Sequence, residues 1–595
     1  MTILGLKILE HDTGAALLID DKVVAISQER LDRKKYSRTF PKESINYCLS
    51  TAGLKSIDDV DVVAIEQITM TTAPLIDLLK QHGWWDKIAH KAIFVNHHDA
   101  HAASAFFCSP FDDAAVLVVD SAGQKTKLAT GLIGVETETF YRGNNDGLHQ
   151  ITRNYAPVNQ FTGWLLNFSG IGNFYSQVTY FLGFGNHEEG KTMGLAPYGK
   201  GGFISNIPEE QFLKRTAQSR YIFPSRLEPH PDMGLKYLFR KTSISRRSAL
   251  LRQLKSVVHY FSKKGLAYEK PQHFPKTPEI FFENPRANKK IKFPDGLYTE
   301  LAYWAQFYLE KVMIEYATHL HNVTKSKNLC IAGGVGLNSV ANKKILDNTP
   351  FENIFIQPAS GDSGLALGAA LWASHQLNKN PIKWRMDNAY LGREYGEKEI
   401  FDAVSHSGCN YKKLDNPQAT AAKLLADEKI IGWFQGKSEY GPRALGNRSI
   451  LCSPVPPGMK DRLNMQVKHR ESFRPFAPAC LEELVSEYFN LDCPSPFMLL
   501  IAKVKKDNIP AITHIDRTAR VQTVNADQNP KFYSLIKEFQ KITGVPVVLN
   551  TSFNDSGEPI VETPEDAVRT FKSINLDALI VGDYLLLPQN GKINL

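Results

Sequence analysis

Leu329-Cys330-Ile331-Ala332-Gly333-Gly334-Val335-Gly336-Leu337-Asn338-Ser339 is the stretch on which the fold turns. Four apolar residues with strand character run directly into a glycine-rich loop, and a helix is expected from about Val340. Glycines between a strand and a helix remove Cβ atoms where an anion must approach the backbone, and a helix N-terminus favours negative charge. Gly333, Gly334, Gly336 and Asn338 are therefore nucleotide-binding candidates. A second apolar run, 354–357, ends in Pro358-Ala359-Ser360-Gly361-Asp362-Ser363-Gly364 and leads into another small-residue helix. Gly361 joins the nucleotide candidates, and Asp362 sits where a side chain leaves a strand end to meet a ligand. Repeated strand, loop and helix units predict an α/β fold.

Further towards the N-terminus, Ala92 to Val95 reads as a strand that opens into Asn96-His97-His98-Asp99-Ala100-His101. On a helix His97 and His101 are one turn apart on one face, the spacing with which two imidazoles grip one metal ion. His98 also reaches His101 at i,i+3, so spacing leaves both pairings open. A bare HxxxH is more often an ordinary cluster of polar and core histidines, and a third ligand is needed to raise it above that. Asp362 is the candidate. The run Ala114 to Val119 ends in Asp120-Ser121-Ala122-Gly123, which resembles the phosphate loop of the actin/Hsp70/sugar-kinase (ASKHA) superfamily, although the same four residues also make an ordinary turn.

The first 26 residues read as a β-meander whose first connection carries His11-Asp12-Thr13-Gly14. Of these, His11 is the residue able to exchange protons near neutral pH. The basic run 33–38 is expected to be a solvated loop in preference to a phosphate-facing edge. Residues 183–200 are glycine-rich with charge in the middle and read as a ligand loop, with Glu189 and Lys191 as candidate substrate contacts. From 201 to 293 the pattern loosens, becoming rich in Pro and Lys after a basic segment with Arg246, Arg247, Arg252 and Lys255, and is read as an elaboration of the core fold.

The 595 residues exceed one hydrophobic core and predict at least two domains. A boundary is expected between His375 and Tyr390, giving domains over 1–378 and 388–595. In the second, a strand at 430–435 enters a loop containing Arg443, Lys468-His469-Arg470 precedes Arg474, and a strand at 545–549 enters Asn550-Thr551-Ser552. Guanidinium and ammonium groups with small amide and hydroxyl side chains suit phosphates and acyl phosphates. The net charge of +8 fits anionic small molecules and argues against nucleic acid as a partner. Seven scattered cysteines with no CxxC pair fit a reducing cytoplasm. No apolar run reaches the length of a bilayer span, and the N-terminus lacks a signal-peptide pattern, so no membrane association is expected.

Taken together the motifs resemble the NodU/CmcH-type O-carbamoyltransferase family: the N-terminal GLxxxxHDxxAALL pattern, HHxxHAxSAF, EGKTMGLAPYG, GGVGLNSVAN, GDSGLALGAAL, EYGPRALGNRSI, VKHRESFRPFAP and LNTSFN, in order along nearly the whole chain. The resemblance implies a mixed α/β protein: a duplicated ASKHA-like domain followed by an α/β YrdC-like domain. It implies that the second domain forms carbamoyl adenylate from carbamoyl phosphate and ATP, with Mg2+ accompanying ATP. The first would pass the carbamoyl group to a hydroxyl of a small-molecule acceptor beside a divalent metal, typically Fe2+. Carried over by motif, His97, His101 and Asp362 are implied metal ligands, with Asp120 at the metal or the phosphate. His11 is implied to deprotonate the acceptor, and Arg443, Lys468, Arg474, Asn550 and Ser552 to contact carbamoyl phosphate and ATP. Asp120-Ser121-Ala122-Gly123 departs from the more glycine-rich loop common at that position. Acceptor identity is not written in the motifs; a saxitoxin-type guanidinium alkaloid is the specific guess. Synthesis of threonylcarbamoyl-adenosine in tRNA and a non-enzymatic nucleotide-dependent scaffold are the alternatives, and the oligomeric state is left open, with a homodimer among the options.

Overall fold

Strand β1 (Thr2–Lys7) is buried along all but its first residue because its side chains alternate between two packed layers. It pairs antiparallel with β2 (Gly14–Ile19), and β2 with β3 (Lys22–Ser27), which is the expected meander. On its other edge β1 runs parallel to β4 (Val62–Gln67), and β4 parallel to β5 (Ala92–Asn96), giving the order β3-β2-β1-β4-β5. The second sheet repeats this plan. Strand β6 (Ala114–Val119) pairs antiparallel with β8 (Ile133–Asn144), which pairs antiparallel with β9 (Gly147–Pro157). On the other side β6 runs parallel to β10 (Asn328–Ala332), and β10 parallel to β11 (Asn353–Ile356). The short β7 (Lys125–Lys127) adds to the edge of β8. Two copies of one five-strand plan make this the duplicated ASKHA-like architecture, and the molecule as a whole is mixed α/β.

These coordinates are a computed structural model that describes residues 1–128, 131, 133–157, 170–201, 296–378 and 384–588. The expected elaboration with Arg246, Arg247, Arg252 and Lys255 lies outside the described residues, apart from Gly201. Among those described, no helix is long and apolar enough to cross a membrane.

Two helices seal the halves together. The His97–Phe106 helix and the Leu365–Leu377 helix are built mainly from Ala, Gly, Ser and Leu, and both are almost wholly buried. A Cβ at Gly368 would overlap the Ala100 carbonyl oxygen, so the two backbones touch where a side chain would hold them apart.

The third sheet is nine-stranded in the order β12-β20-β19-β13-β14-β18-β15-β17-β16. Its strands are β12 (Asn410–Lys413), β13 (Ile431–Phe434), β14 (Arg448–Cys452), β15 (Ala477–Leu481), β16 (Leu500–Lys503), β17 (Thr518–Val524), β18 (Val547–Ser552), β19 (Ala578–Val581) and β20 (Tyr584–Leu587). Residues of the N-terminal half pack directly on its loops. Arg30, 4% exposed, donates to the Gly441 carbonyl at 3.0 Å and the Glu439 carbonyl at 3.3 Å. Arg33 donates to the carbonyls of Ile560 at 2.8 Å and Pro559 at 2.7 Å and pairs with Glu558. The basic run expected to be a solvated loop is thus in part an internal seam. Arg33 of that run, with Arg30 before it, finds carbonyl acceptors on loops of the third sheet, while Arg38 is exposed; charge pattern alone does not disclose this long-range pairing.

Candidate functional site

Four of the predicted residues meet where the two halves face each other. His97 and His101 come from the helix after β5, Asp120 from the exit of β6, and Asp362 from the turn after β11. One ligating atom from each lies within 4.8 Å of every other, and all four side chains are buried. His97 Nε2 is 3.2 Å from Asp120 Oδ2 and 3.8 Å from Asp362 Oδ1; His101 Nε2 is 3.9 Å and 3.8 Å from the same two oxygens. Both ring nitrogens of His101 are buried without a hydrogen bond among the described residues. Burial and the neighbouring His97 push its pKa down to about 3, which keeps the ring neutral. Two neutral-capable imidazoles and two carboxylates on one small volume, with an orphaned nitrogen aimed into it, fit a divalent cation.

The helix geometry resolves the choice left open by spacing. His98 turns away, its Nδ1 2.7 Å from Thr139 Oγ1, so His97 is the partner of His101. Two further charged residues, Glu66 and Lys7, were not singled out from sequence. Glu66 Oε1 lies 2.7 Å from His97 Nδ1, and Lys7 Nζ lies 3.1 Å from Asp362 Oδ2 and 3.5 Å from Glu66 Oε2. Burial would raise the Glu66 pKa, but Lys7 and His97 outweigh it and hold it below the usual carboxylate range. Burial would lower that of His97, but Glu66 and the two aspartates hold it well above the imidazole value. The available signal was a lone charge closing an otherwise apolar strand, in TILGLK and in VVAIEQ.

His11 stands at the open side of this cluster. Its Nε2 is 3.9 Å from Asp362 Oδ2 and its Nδ1 3.0 Å from Asp12 Oδ2. Its ring lies 4.2 Å from that of His187, which in turn lies 4.6 Å from Tyr36, and the Tyr36 hydroxyl donates to the His187 carbonyl at 2.9 Å.

The glycine loop after β10 faces Asp120. Gly334 donates its N–H to Asp120 Oδ1 at 3.1 Å, and Gly333, at φ +89°, lies against the Val119 backbone. Gly361 approaches Gly334 across the loop, while Gly336 packs on Ser360. Asn338 is otherwise occupied. Its Oδ1 caps the Ser339–Asn348 helix by accepting from the Ala341 N–H, and its amide pairs reciprocally with Gln306, so the nucleotide contact expected of its side chain is taken up by the helix start.

The third sheet gathers cations. Arg443, Arg470, Arg474, Arg520 and Lys468 lie close enough that their charges act on one another. Burial and Arg474 push the Arg443 pKa down to about 10, and burial with Arg443, Arg470 and Arg474 takes that of Arg520 well below the guanidinium value. Nε of both Arg443 and Arg520 is buried without a hydrogen bond among the described residues. Neighbouring positive charge that disfavours itself is the electrostatic mark of an anion site. Lys468 departs from its expected role. Its ammonium donates to the carbonyls of Ser552 at 3.0 Å and Asn554 at 2.8 Å and to Asn554 Oδ1 at 2.9 Å, so all three hydrogens are used in holding the loop after β18. Asn550 donates to Gln522 Oε1 at 2.9 Å and leaves its own Oδ1 unpaired among the described residues. Arg520 was not singled out from sequence; it shares one face of β17 with Thr518 and Gln522.

Glu189 and Lys191 lie between the two clusters. Glu189 accepts from Ser176 at 2.7 Å, while Lys191 pairs with Glu188 at 2.6 Å and with Glu471 of the third-sheet cation loop at 2.9 Å. Lys191 is therefore an ion-paired bridge, where a free substrate contact was expected.

The duplicated ASKHA-like fold thus carries one polar cluster between its halves and a second, cationic one on the third sheet. Family models for the carbamoyltransferase N-terminus match residues 2–77 and 75–371, and that for the carbamoyltransferase C-terminus matches residues 422–587. An uncharacterized protein of Synechocystis is 33% identical over 98% of the chain and 96% of its own length. Nodulation protein NolNO of Sinorhizobium fredii is 34% identical over 97% of the chain and 79% of its own length. Full-length HypF in its phosphate- and nucleotide-bound form aligns over 64% of the chain and 56% of its own length at 13% identity, with a TM-score of 0.32, too loose to carry an argument. The chain belongs to the NodU/CmcH-type carbamoyltransferase family, and it is a transferase.

Proposed function

We propose that the protein is an ATP-dependent O-carbamoyltransferase that works in two stages. In the first, water cleaves carbamoyl phosphate to carbamate and phosphate, and the carbamate oxygen attacks the α-phosphorus of ATP to give carbamoyl adenylate with pyrophosphate leaving; this takes place in the 388–595 domain, where Arg443, Arg474 and Arg520 hold the anionic groups and Lys468 and Asn550 shape the loop around them. In the second, an acceptor hydroxyl attacks the carbamoyl carbon in the 1–378 domain and AMP leaves. His11 takes the hydroxyl proton at its ring nitrogen, and the backbone of Gly333, Gly334, Gly336 and Gly361 lines the phosphate side. His97, His101, Asp120 and Asp362 would hold the divalent cation, Fe2+ by family resemblance, which when bound supplies a Lewis acid for the charge that develops at the carbonyl or phosphate.

The observation that carries this reading is the pairing of a buried two-histidine, two-aspartate cluster beside His11 with a group of arginines in which the Nε atoms of Arg443 and Arg520 are buried without a hydrogen bond among the described residues. Chemistry that generates a reactive anhydride in one place and consumes it in another needs both. The acceptor is a small-molecule alcohol. A saxitoxin-type guanidinium alkaloid is the specific acceptor proposed, and Glu189 beside His187 is an acidic side chain near the site's entrance. Incubation with ATP, carbamoyl phosphate and a panel of alcohols, read by mass spectrometry, tests the reading. AMP with pyrophosphate and a product heavier by one carbamoyl group is expected, whereas ADP as the nucleotide product would refute it. The basic segment that favoured tRNA lies outside the described residues and adds nothing to that alternative.

A further inference from the structure

Lys7 is an unusual thing to find beside a metal site. Its side chain is fully buried at the end of the central strand β1, and its ammonium lies between Asp362, a proposed ligand, and Glu66, which holds the ligand His97. The strands impose this placement. Leu6 and Ile65 are paired in the parallel β1/β4 ladder, so the next residues, Lys7 and Glu66, emerge side by side toward the seam. An ammonium costs several kcal/mol to bury, and it repels any cation bound nearby. Packing does not require it, because a methionine or leucine would fill a similar volume at the end of an apolar strand.

The charges of the cluster suggest what it does. Once a cation has displaced the proton of His97 both ligand imidazoles are neutral, and the carboxylates Glu66, Asp120 and Asp362 with the ammonium of Lys7 leave an excess of two negative charges for that cation to meet. A divalent cation neutralises the cluster; a trivalent one leaves it with a buried positive charge. Without Lys7 the balance would shift to three negative charges and favour the trivalent ion. We propose that Lys7 is a specificity-determining residue of the metal site, a fixed internal counter-charge that selects a divalent over a trivalent cation. This rests on the reading of His97, His101, Asp120 and Asp362 as metal ligands. Lys7 is a positioning and charge-setting residue; it acts through Asp362 and Glu66.

The magnitude follows from Coulomb's law. A unit charge about 6 Å from the metal, at an effective dielectric near 20, changes the relative affinity for ions differing by one charge by about ten- to a hundredfold. For iron that ratio is a midpoint potential, and the change corresponds to about 60–120 mV.

Full-length protein is loaded anaerobically with Fe2+, and the Fe3+/Fe2+ midpoint is measured for wild type, Lys7→Met and Glu66→Gln. Lys7→Met is expected to lower the midpoint, because it strengthens ferric relative to ferrous binding. Glu66→Gln removes a negative charge from the same group and is expected to raise it. If Lys7→Met fails to fold, Lys7→Gln, which keeps a donor to Asp362 and removes the charge, is expected to show the same fall and decides in its place. Midpoints that stay put, or move the same way in both variants, overturn the role of Lys7. Wild-type protein that retains no iron, or retention undiminished in His101→Ala, overturns the metal-site reading itself and the proposal with it.

Discussion

Glu66 Oε1 accepts from His97 Nδ1 across 2.7 Å, and this fixes His97 with Nε2 directed at Asp120 and Asp362. An ionised carboxylate can only accept, so the Nδ1 hydrogen is assigned and the lone pair of Nε2 is left for the cluster. Removing that support by Glu66→Ala should weaken metal retention by about 10–100-fold. Metal content after dialysis against graded chelator measures it.

His101→Ala takes away an imidazole that makes no other hydrogen bond among the described residues. It should abolish carbamoyl transfer yet leave carbamoyl-phosphate-dependent exchange of pyrophosphate into ATP intact, because that half-reaction is assigned to the third sheet. Loss of exchange as well would mean that the two sites are not separable.

Arg520→Ala should act in the opposite sense. A buried guanidinium that contacts an anion contributes about 1.5–3 kcal/mol, so the KM for the anionic substrates should rise by about 10–150-fold while metal content is unchanged. Steady-state exchange kinetics distinguish this from a folding defect, in which kcat and protein yield would fall together.

His11→Asn should lower the transfer rate by about 10²–10⁴-fold, the usual range for a lost general base, with adenylate formation unaffected. Single-turnover transfer from preformed intermediate separates the two stages.

His514 Nε2 is 2.9 Å from the Gly194 carbonyl, tying the Glu189–Leu195 helix to the third sheet. Burial and Lys460 lower its pKa against the pull of Asp516. The unfolded chain therefore binds a proton below about pH 6.5 that the folded chain resists, so this contact contributes stability above that pH and loses it as pH falls through the lowered value. The melting temperature should drop between pH 7 and pH 5, and His514→Gln should flatten part of that slope.

The strand and helix alternation, the meander and the exits that carry His97, Asp120 and Asp362 were legible because each is a local pattern, an apolar run followed by small or polar residues. His97 over His98 was implied by the family resemblance and was not legible from spacing, because the local reason lies with Thr139 of another sheet. Glu66, Lys7 and Arg520 escaped notice for a related reason: each is a single charge in a strand, and its meaning comes from partners far away in sequence. Asn338, Lys191 and Lys468 were read as nucleotide, substrate and carbamoyl-phosphate contacts from residue type and loop context, and their polar atoms are engaged by Gln306, Glu471 and the Ser552–Asn554 loop. Residue type indicates which chemistry a side chain offers; its neighbours decide whether that capacity is already used.

The five-strand plan occurs twice, and equivalent exits do unlike work. The first strands end in Lys7 and run out into Asp120; the last strands run into His97 and Asp362. Both imidazoles belong to one copy and both aspartates to the other, so neither copy by itself owns a complete donor set. Any ion seated there is a rivet between the two copies, and its departure removes one link across their common boundary. Symmetry built the recess, and its breaking gave the recess a use.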